Sequence, residues 1–234
     1  AYAIANPFKR VYWLNQGAQS FSIKECVVAI DIKSDTTWAT SFQDRQVNIL
    51  NGATLTVSVP MALDTVMMEE DAQVVFTATE GKLTARSLRF APLLSATGWK
   101  AFGMPFTSAV IKNSTEEEIS APSTQNVDNG IWFARLKDNK TPEFVVDESA
   151  FGMAGLWAAN GDTYTISSEG AFEFKTLEEP AAPTETGTFL MCSNPNTFTI
   201  TLKQSAYILT SDGTSFEPEA NPEIKPFQCC VLTD

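Results

Sequence analysis

Histidine is absent from this 234-residue chain, and that absence excludes more chemistry than any other feature of the composition. Ser-His-Asp and Cys-His catalysis both need an imidazole to carry a proton. Most zinc sites also use His, unless several Cys residues replace it. The sequence therefore predicts no catalytic residues, no metal site and no cofactor.

Positive charge is scarce, with 16 Lys and Arg against 28 Asp and Glu and a net charge of −12. Phosphate backbones and anionic membrane surfaces repel a chain of this charge. The sequence also lacks a run of about 20 apolar residues, the length that a membrane-spanning helix needs. We therefore expect no nucleic-acid partner and no membrane-spanning segment.

Cysteine is rare, and the four cysteines form no C-x-x-C pair, which disfavours a zinc or thioredoxin-like motif. A bond between the adjacent Cys229 and Cys230 would close a strained ring. Cys192 can instead reach one of them across neighbouring strands, and an exported protein permits such a bond. Buried free thiols are the alternative, as they are for Cys26. The sequence leaves the disulfide state of Cys192, Cys229 and Cys230 open.

Helix signals are missing too, because no long segment keeps a 3.6-residue apolar period with caps. Short alternating segments dominate, and turns such as Asn51-Gly52 and Asp212-Gly213 separate them. Phe occurs 16 times and Tyr 4 times, as expected for apolar rings that fill the space between sheets. The predicted fold class is all-β. Strands are expected within 21–32, with a bulge, and at 54–59, 73–79, 83–90, 131–136, 163–166, 171–176, 197–202 and 228–232.

One weak internal repeat is visible, in which VNILNGATLTV at 47–57 matches VMMEEDAQVVF at 66–76 with an offset of 19 residues. Each copy has apolar residues, a small polar turn, Ala and an alternating strand. Stacked rungs of a parallel β-roll give this pattern, since each rung buries its apolar face on the next. Two antiparallel strands with similar turns are the alternative.

The chain divides into two predicted parts. Residues 1–92 are expected to form a small N-terminal β domain, with the short β-roll as one of the two arrangements that the repeat allows. The nature of residues 1–46 stays open. Residues 93–234 are expected to form an antiparallel β-sandwich. Two polar stretches, 112–130 and 177–187, are predicted loops.

Acidic side chains are numerous enough for a glycosidase pair, yet nothing in the sequence marks two of them as converging. Calcium needs several oxygen ligands in one tight loop, and 160–162 and 212–214 supply some, at a spacing unlike an EF-hand. We interpret both as turns and the acidic residues as solvated surface. The acidic candidates are Glu69, Glu70, Asp71, Glu116, Glu117, Glu118, Asp147 and Glu148.

Tryptophan rings could form a platform on which a sugar stacks, although a core position is the preferred interpretation for each. An open aromatic groove with Trp132 exposed would favour sugar binding, whereas rings buried between sheets would favour a scaffold. The five are Trp13, Trp38, Trp99, Trp132 and Trp157.

Three segments, GWKAFGMPF at 98–106, FGMAGLWAANGDTYTI at 151–166 and AYILTSDGTSFEPEANPEIKPFQCCVL at 206–232, carry a family resemblance. In this order and spacing they resemble the β module that closes many secreted and cell-surface proteins of gut Bacteroidetes. Some of those proteins carry leucine-rich repeats upstream. The family pattern has Leu-Pro-Phe, then Ala-Gly-x-Pro-Tyr-Leu, then Pro-Phe-Arg-Ala-Tyr.

This sequence departs from that pattern at Leu156 for Pro, Trp157 for Tyr and Gln228 for Arg. The resemblance covers roughly 98–234, and the short β segments before it are similar to those that often precede such modules. It implies an exported protein, extracellular or on the cell surface, with the periplasm as the alternative. It implies no catalytic role.

Together these observations predict a non-catalytic exported structural or interaction module of the adhesion type, whose partner is an unknown surface protein or glycan. The alternative is a carbohydrate-binding accessory protein in polysaccharide capture.

Overall fold

The computed structural model is all-β. It describes residues 29–94, 98–104, 106, 109–119, 130–146, 154–160, 163–178, 180, 185 and 187–233, and the backbone alone of 11–17 and 20–26. No helix occurs within these residues, which agrees with the missing helical period. The first two strands, β1 (Val11–Gly17) and β2 (Ser20–Cys26), pair with each other in antiparallel fashion.

A parallel β-roll follows. Seven strands alternate between two sheets, so that β3, β5, β7 and β9 stack in one sheet and β4, β6 and β8 in the other. The strands are β3 (Ile30–Ile32), β4 (Thr36–Trp38), β5 (Gln46–Ile49), β6 (Thr54–Val57), β7 (Met61–Glu69), β8 (Gln73–Phe76) and β9 (Leu83–Ala91).

The register of the roll explains the 19-residue repeat. Val47 pairs with Val66 and Leu55 pairs with Val74, so equivalent apolar residues stack in columns. All four are at most 1% exposed. Of the two arrangements that the sequence allowed, the parallel one is present.

The turns of the roll repeat as well. Gly52 and Asp71 occupy equivalent positions of the 19-residue repeat, and both adopt left-handed backbone conformations, with φ of 75° and 60°. The next residue in each turn, Ala53 or Ala72, is buried, and its N–H donates to the carbonyl of Leu50 or Glu69. The visible repeat did not include a further rung, β3 and β4. The offset from β3 to β5 is 17 residues, whereas β4 and β6 keep the 19-residue offset.

Fourteen further described strands follow residue 92, and all pairings among them are antiparallel. They are β10 (Lys100–Gly103), β11 (Ala109–Lys112), β12 (Glu118–Ile119), β13 (Ile131–Leu136), β14 (Phe144–Val146), β15 (Ala154–Ala159), β16 (Thr165–Ser168), β17 (Phe172–Phe174), β18 (Phe189–Ser193), β19 (Ile200–Thr201), β20 (Ala206–Leu209), β21 (Phe216–Glu219), β22 (Glu223–Ile224) and β23 (Cys229–Thr233).

These strands do not form the clear β-sandwich that was expected. Four of them, β11, β12, β16 and β17, continue the sheet of the roll, because β16 and β17 both pair with β9. The others form two four-stranded sheets, β10-β15-β13-β14 and β18-β23-β20-β21, and the small pair β19-β22. The arrangement is solenoid-like, with antiparallel sheets added to the roll.

The largest core cluster contains residues from both sides of position 92. Phe90 of the roll lies 4.8 Å from Phe227 and 6.1 Å from Phe102, measured between ring centroids. The pairing of β9 with β16 and β17 also joins the two sides of position 92. The division into 1–92 and 93–234 stays a prediction, and any test of it must account for this shared core.

The predicted loops lie partly outside the described residues. Within 112–130, Asn113–Glu117 form a turn that joins β11 to β12, while 120–129 lie outside them. Within 177–187, residues 179, 181–184 and 186 lie outside. Across the described part of the chain, no helix is long and apolar enough to cross a membrane.

Candidate functional site

A cleft with a volume of about 840 Å³ lies where four segments of the described residues meet. One wall is the turn after β7, and the opposite wall is the hairpin turn between β20 and β21. The start of β10 and the segment 225–228 complete the cleft. The buried rings of Phe90 and Phe102 contribute to its lining, and charged side chains surround them.

Glu70 and Lys100 form an ion pair inside this cleft, with their side chains only 19% and 29% exposed. Glu70 Oε2 also accepts a hydrogen bond of 3.0 Å from the Leu93 N–H. Removing one partner would leave a largely desolvated charge unpaired, which is far more destabilising than losing a surface pair. The Glu70 carboxylate is therefore held in a fixed position by Lys100 and the Leu93 N–H.

Asp71 and Lys225 form a second ion pair at the rim, with 2.9 Å between Oδ1 and Nζ. Both side chains are well exposed, at 40% and 58%, so this pair adds little stability. It does connect the roll to the last turn before β23.

Asp212 fixes the shape of the opposite wall. Its Oδ1 accepts hydrogen bonds from the Thr210 hydroxyl (2.6 Å), the Thr214 hydroxyl (2.8 Å) and the Thr214 N–H (3.1 Å). These bonds, that from Thr210 foremost, hold the pKa of Asp212 below its usual value. The turn interpretation of 212–214 agrees with this geometry.

Two glycines let this wall approach β10 closely. A Cβ on Gly213, whose φ is 70°, would lie 2.3 Å from the Trp99 carbonyl oxygen. A Cβ on Gly98 would lie 2.5 Å from the Asp212 carbonyl oxygen. The close backbone contact thus requires glycine at both positions, and it fixes Trp99 at the edge of the cleft.

The acidic candidates separate in the structure. Glu69 accepts a hydrogen bond from the Asn51 N–H, Glu116 pairs with Lys112 at 3.5 Å, and Glu117 accepts a bond from Asn113. Glu118 is exposed at the start of β12, and Asp147 and Glu148 lie outside the described residues. The described residues contain no cluster of three potential metal ligands. Of 160–162, only Asn160 is described.

Two of the four tryptophans with described side chains are buried in the core. Trp157 is fully buried and stacks on Phe102 at 4.6 Å, while Trp38 is 8% exposed. Trp132 and Trp99 are half-buried, and Trp99 packs against the cluster of Ala101, Ala134, Leu156 and Cys229. The side chain of Trp13 lies outside the described residues. The described residues therefore do not form the open groove with an exposed Trp132 that would favour sugar binding.

The cysteines are free where they are described. Cys192 faces Cys230 across neighbouring strands, and Cys229 is buried in a different cluster. Burial raises the pKa of the Cys229 thiol far above its usual value. The side chain of Cys26 lies outside the described residues.

Sequence reasoning missed Lys100 and Lys225, the two cations of the cleft. Each pairs with an acid on the roll, Lys100 with Glu70 and Lys225 with Asp71. No local pattern signals such long-range pairs. The adjacent acids at 70 and 71, which lie in a turn of the visible repeat, were the only available indication.

Comparison with known proteins adds no relationship. No family model matches the chain, no curated protein matches it, and no solved structure matches it.

Proposed function

We propose that this protein is a non-catalytic structural or interaction module of the adhesion type, acting at an exported surface. Its partner would be a surface protein or a glycan, and the cleft between the roll and the β20–β21 hairpin would be the contact surface.

The observation that carries this proposal is the state of the acidic groups in the cleft. Glu70, Asp71 and Asp212 each hold a structural partner, namely Lys100, Lys225 and the hydroxyls of Thr210 and Thr214. A general acid needs a carboxyl group whose pKa is raised by burial away from such partners. These three are instead engaged by cations or hydroxyls, which suits recognition better than proton transfer.

The placement at an exported surface rests on the family resemblance of segments 98–106, 151–166 and 206–232. These segments contribute strands to the two four-stranded sheets, and the hairpin between β20 and β21 closes the cleft. The proposed module therefore supplies part of the proposed contact surface, and the roll supplies the rest.

One observation favours carbohydrate as the partner class. The half-buried ring of Trp99 lines the cleft beside the hydroxyl-bearing Thr210, Ser211 and Thr214. A flat apolar ring matches the C–H face of a sugar, while hydroxyls and paired charges can accept and donate hydrogen bonds. A carbohydrate-binding accessory protein is therefore the second candidate.

Blocking the cleft tests the proposal. Ser211 is exposed at its rim, so Ser211→Arg should place a long side chain across the opening without disturbing the turn bonds of Asp212. We expect binding to immobilised polysaccharides or surface proteins to fall at least tenfold in this variant. The matched control is Ser34→Arg, an exposed position of the roll between β3 and β4 that does not line the cleft.

Two results would contradict the proposal. The first is binding that the Ser211→Arg variant retains and the Ser34→Arg variant loses. The second is turnover of a glycan, ester or peptide substrate that disappears when one Asp or Glu is replaced, because that would establish an enzyme.

A further inference from the structure

Cys192 and Cys230 lie directly opposite each other on the antiparallel strands β18 and β23. Their sulfur atoms are 3.6 Å apart, so the two thiols are in hydrogen-bond contact but not covalently joined. Opposed residues of antiparallel strands have Cα atoms about 4.5 or 5.5 Å apart. Both spacings fall within the roughly 4.4–6.8 Å that a disulfide spans. The backbone already has the geometry of a cross-strand bond.

Of the two adjacent cysteines, only Cys230 shares a face with Cys192. Side chains alternate along a strand, so Cys229 points to the other side. Cys229 packs with Ala101 and Leu156, whereas Cys230 packs with Ile200 and Leu232. The register pairs Cys229 with Ser193, which has no thiol.

The two opposed thiols differ in access to solvent. Cys192 is only partly buried, whereas Cys230 is 1% exposed. Their mutual hydrogen bond lowers the pKa of Cys192 and raises that of Cys230. Thiolate formation is therefore favoured on Cys192, the more exposed of the two residues.

We propose that Cys192 and Cys230 are a redox-active dithiol that closes into a cross-strand disulfide by exchange with a low-molecular-mass disulfide such as oxidised glutathione. The Cys192 thiolate attacks one glutathione sulfur, forming a mixed disulfide and releasing one glutathione thiolate, which takes up a proton. Cys230 then loses its proton and attacks the Cys192 sulfur, and the second glutathione leaves as a thiol. Two protein thiols are oxidised and one glutathione disulfide is reduced to two thiols.

The bond would close a loop between positions 38 residues apart, which contains β19 to β22 and the hairpin that forms one wall of the cleft. Its formation would tie the final strand, β23, to β18. The inference rests on the strand register and the contact between the two sulfur atoms, and it stands independently of the proposed function.

Thiol counting tests the inference. The Cys26→Ser chain, which keeps three thiols, is reduced, desalted, incubated with excess oxidised glutathione at pH 8, then denatured and alkylated. We expect mass spectrometry to show a fall from three alkylated thiols to one, with no glutathione retained. Three remaining thiols, or a chain that stops as a glutathione adduct, would overturn it.

Substitutions identify the partner. In the same background, Cys229→Ser should close as fast as the parent, whereas Cys230→Ser should stop as a glutathione adduct on Cys192. Closure in Cys230→Ser but not in Cys229→Ser would show that the register is wrong. If a serine at either buried site prevents folding, fragmentation of the unsubstituted oxidised chain between residues 229 and 230 assigns the bond directly.

Discussion

Phe227 is a buried ring on a strained backbone. Its φ is 61°, a left-handed conformation that a bulky residue rarely adopts, and its side chain is 0% exposed. The strain costs about 1–2 kcal/mol, less than the contribution of a fully buried aromatic ring. The turn from Lys225 to Gln228 thus directs this ring into the core beside Phe90, while Pro226 lines the cleft.

We predict that Phe227→Ala lowers the free energy of unfolding by about 3–5 kcal/mol, because it removes a fully packed ring from the largest core cluster. Chemical denaturation followed by intrinsic fluorescence measures the change. Leu177→Ala is the control, since Leu177 is 59% exposed and its truncation should change the free energy by less than about 0.5 kcal/mol. An unchanged midpoint for Phe227→Ala would show that the ring does not pack as described.

Asp212 should make the stability of the cleft wall depend on pH. Its pKa is lowered in the folded state from the ordinary value of 3.8, so its contribution is fully present above that value. The contribution is lost as the pH falls through the lower folded-state pKa. We expect the difference in urea midpoint between the wild type and Asp212→Asn to be largest near neutral pH and to vanish in strong acid.

Asn keeps one acceptor oxygen, so Asp212→Asn changes the charge while largely preserving the turn. Ser211→Ala is the comparison, because it leaves Asp212 ionisable and should follow the wild type at every pH. A constant difference between Asp212→Asn and the wild type from pH 7 to pH 2 would contradict the assignment.

At the scale of the element, the rungs of the roll stack so that equivalent residues form columns. The side chains of each strand point alternately into and out of the core, and parallel pairing places equivalent residues of successive rungs side by side. In β6 and β8, Leu55 and Val57 are buried against Val74 and Phe76, while Thr56 and Val75 face outward on the other side. A one-residue slip would bring Thr56 into the core, so the register is strongly specified.

Engineered cysteines test the parallel register. Thr56 and Val75 are direct partners, and neighbouring strands lie about 4.7–4.9 Å apart, within reach of a disulfide. We predict that Thr56→Cys with Val75→Cys forms a bond under mild oxidation. Cleavage after Glu69 or Glu70, between the two positions, followed by mass spectrometry under non-reducing conditions, detects the linked peptides.

The matched control is Thr56→Cys with Thr79→Cys. Residue 79 is four positions further along the chain than Val75, roughly 13 Å away if the strand direction continues. This pair should remain unlinked. Linkage of the control instead of the Val75 pair would contradict this register.

At the scale of the whole molecule, the roll and the C-terminal strands support each other. β16 and β17 cover the free edge of β9, which would otherwise expose unpaired backbone groups. On the other sheet, the Val74 N–H donates to the Thr197 carbonyl and the Thr197 hydroxyl donates to the Val74 carbonyl, both at 2.7 Å. Both faces of the roll therefore depend on residues far along the chain.

We predict that the full chain unfolds in one cooperative transition and that fragments 1–92 and 93–234 fail to fold separately. The physical reason is that either fragment would expose the shared core around Phe90, Phe102 and Phe227. Calorimetry of the full chain and circular dichroism of each fragment measure this. A cooperative melt of fragment 1–92 alone would instead support the two-domain division predicted from the sequence.

The sequence by itself determined the class of this protein and its local elements. Missing helix periodicity, frequent alternation and glycine turns predict an all-β chain because these signals act between near neighbours. The 131–136 strand appears with the predicted bounds, and the 19-residue repeat becomes the register of the roll.

Tertiary structure decided everything that depends on distant partners. The addition of β16 and β17 to the roll replaced the expected sandwich, and the Glu70–Lys100 and Asp71–Lys225 pairs formed the cleft. The choice of Cys230 over Cys229 as the partner of Cys192 also belongs here, because it depends on a strand register set by both β18 and β23. Pairing between strands separated by many residues leaves no periodic trace in the sequence, since the energy that selects it comes from packing and hydrogen bonds formed only in the folded chain.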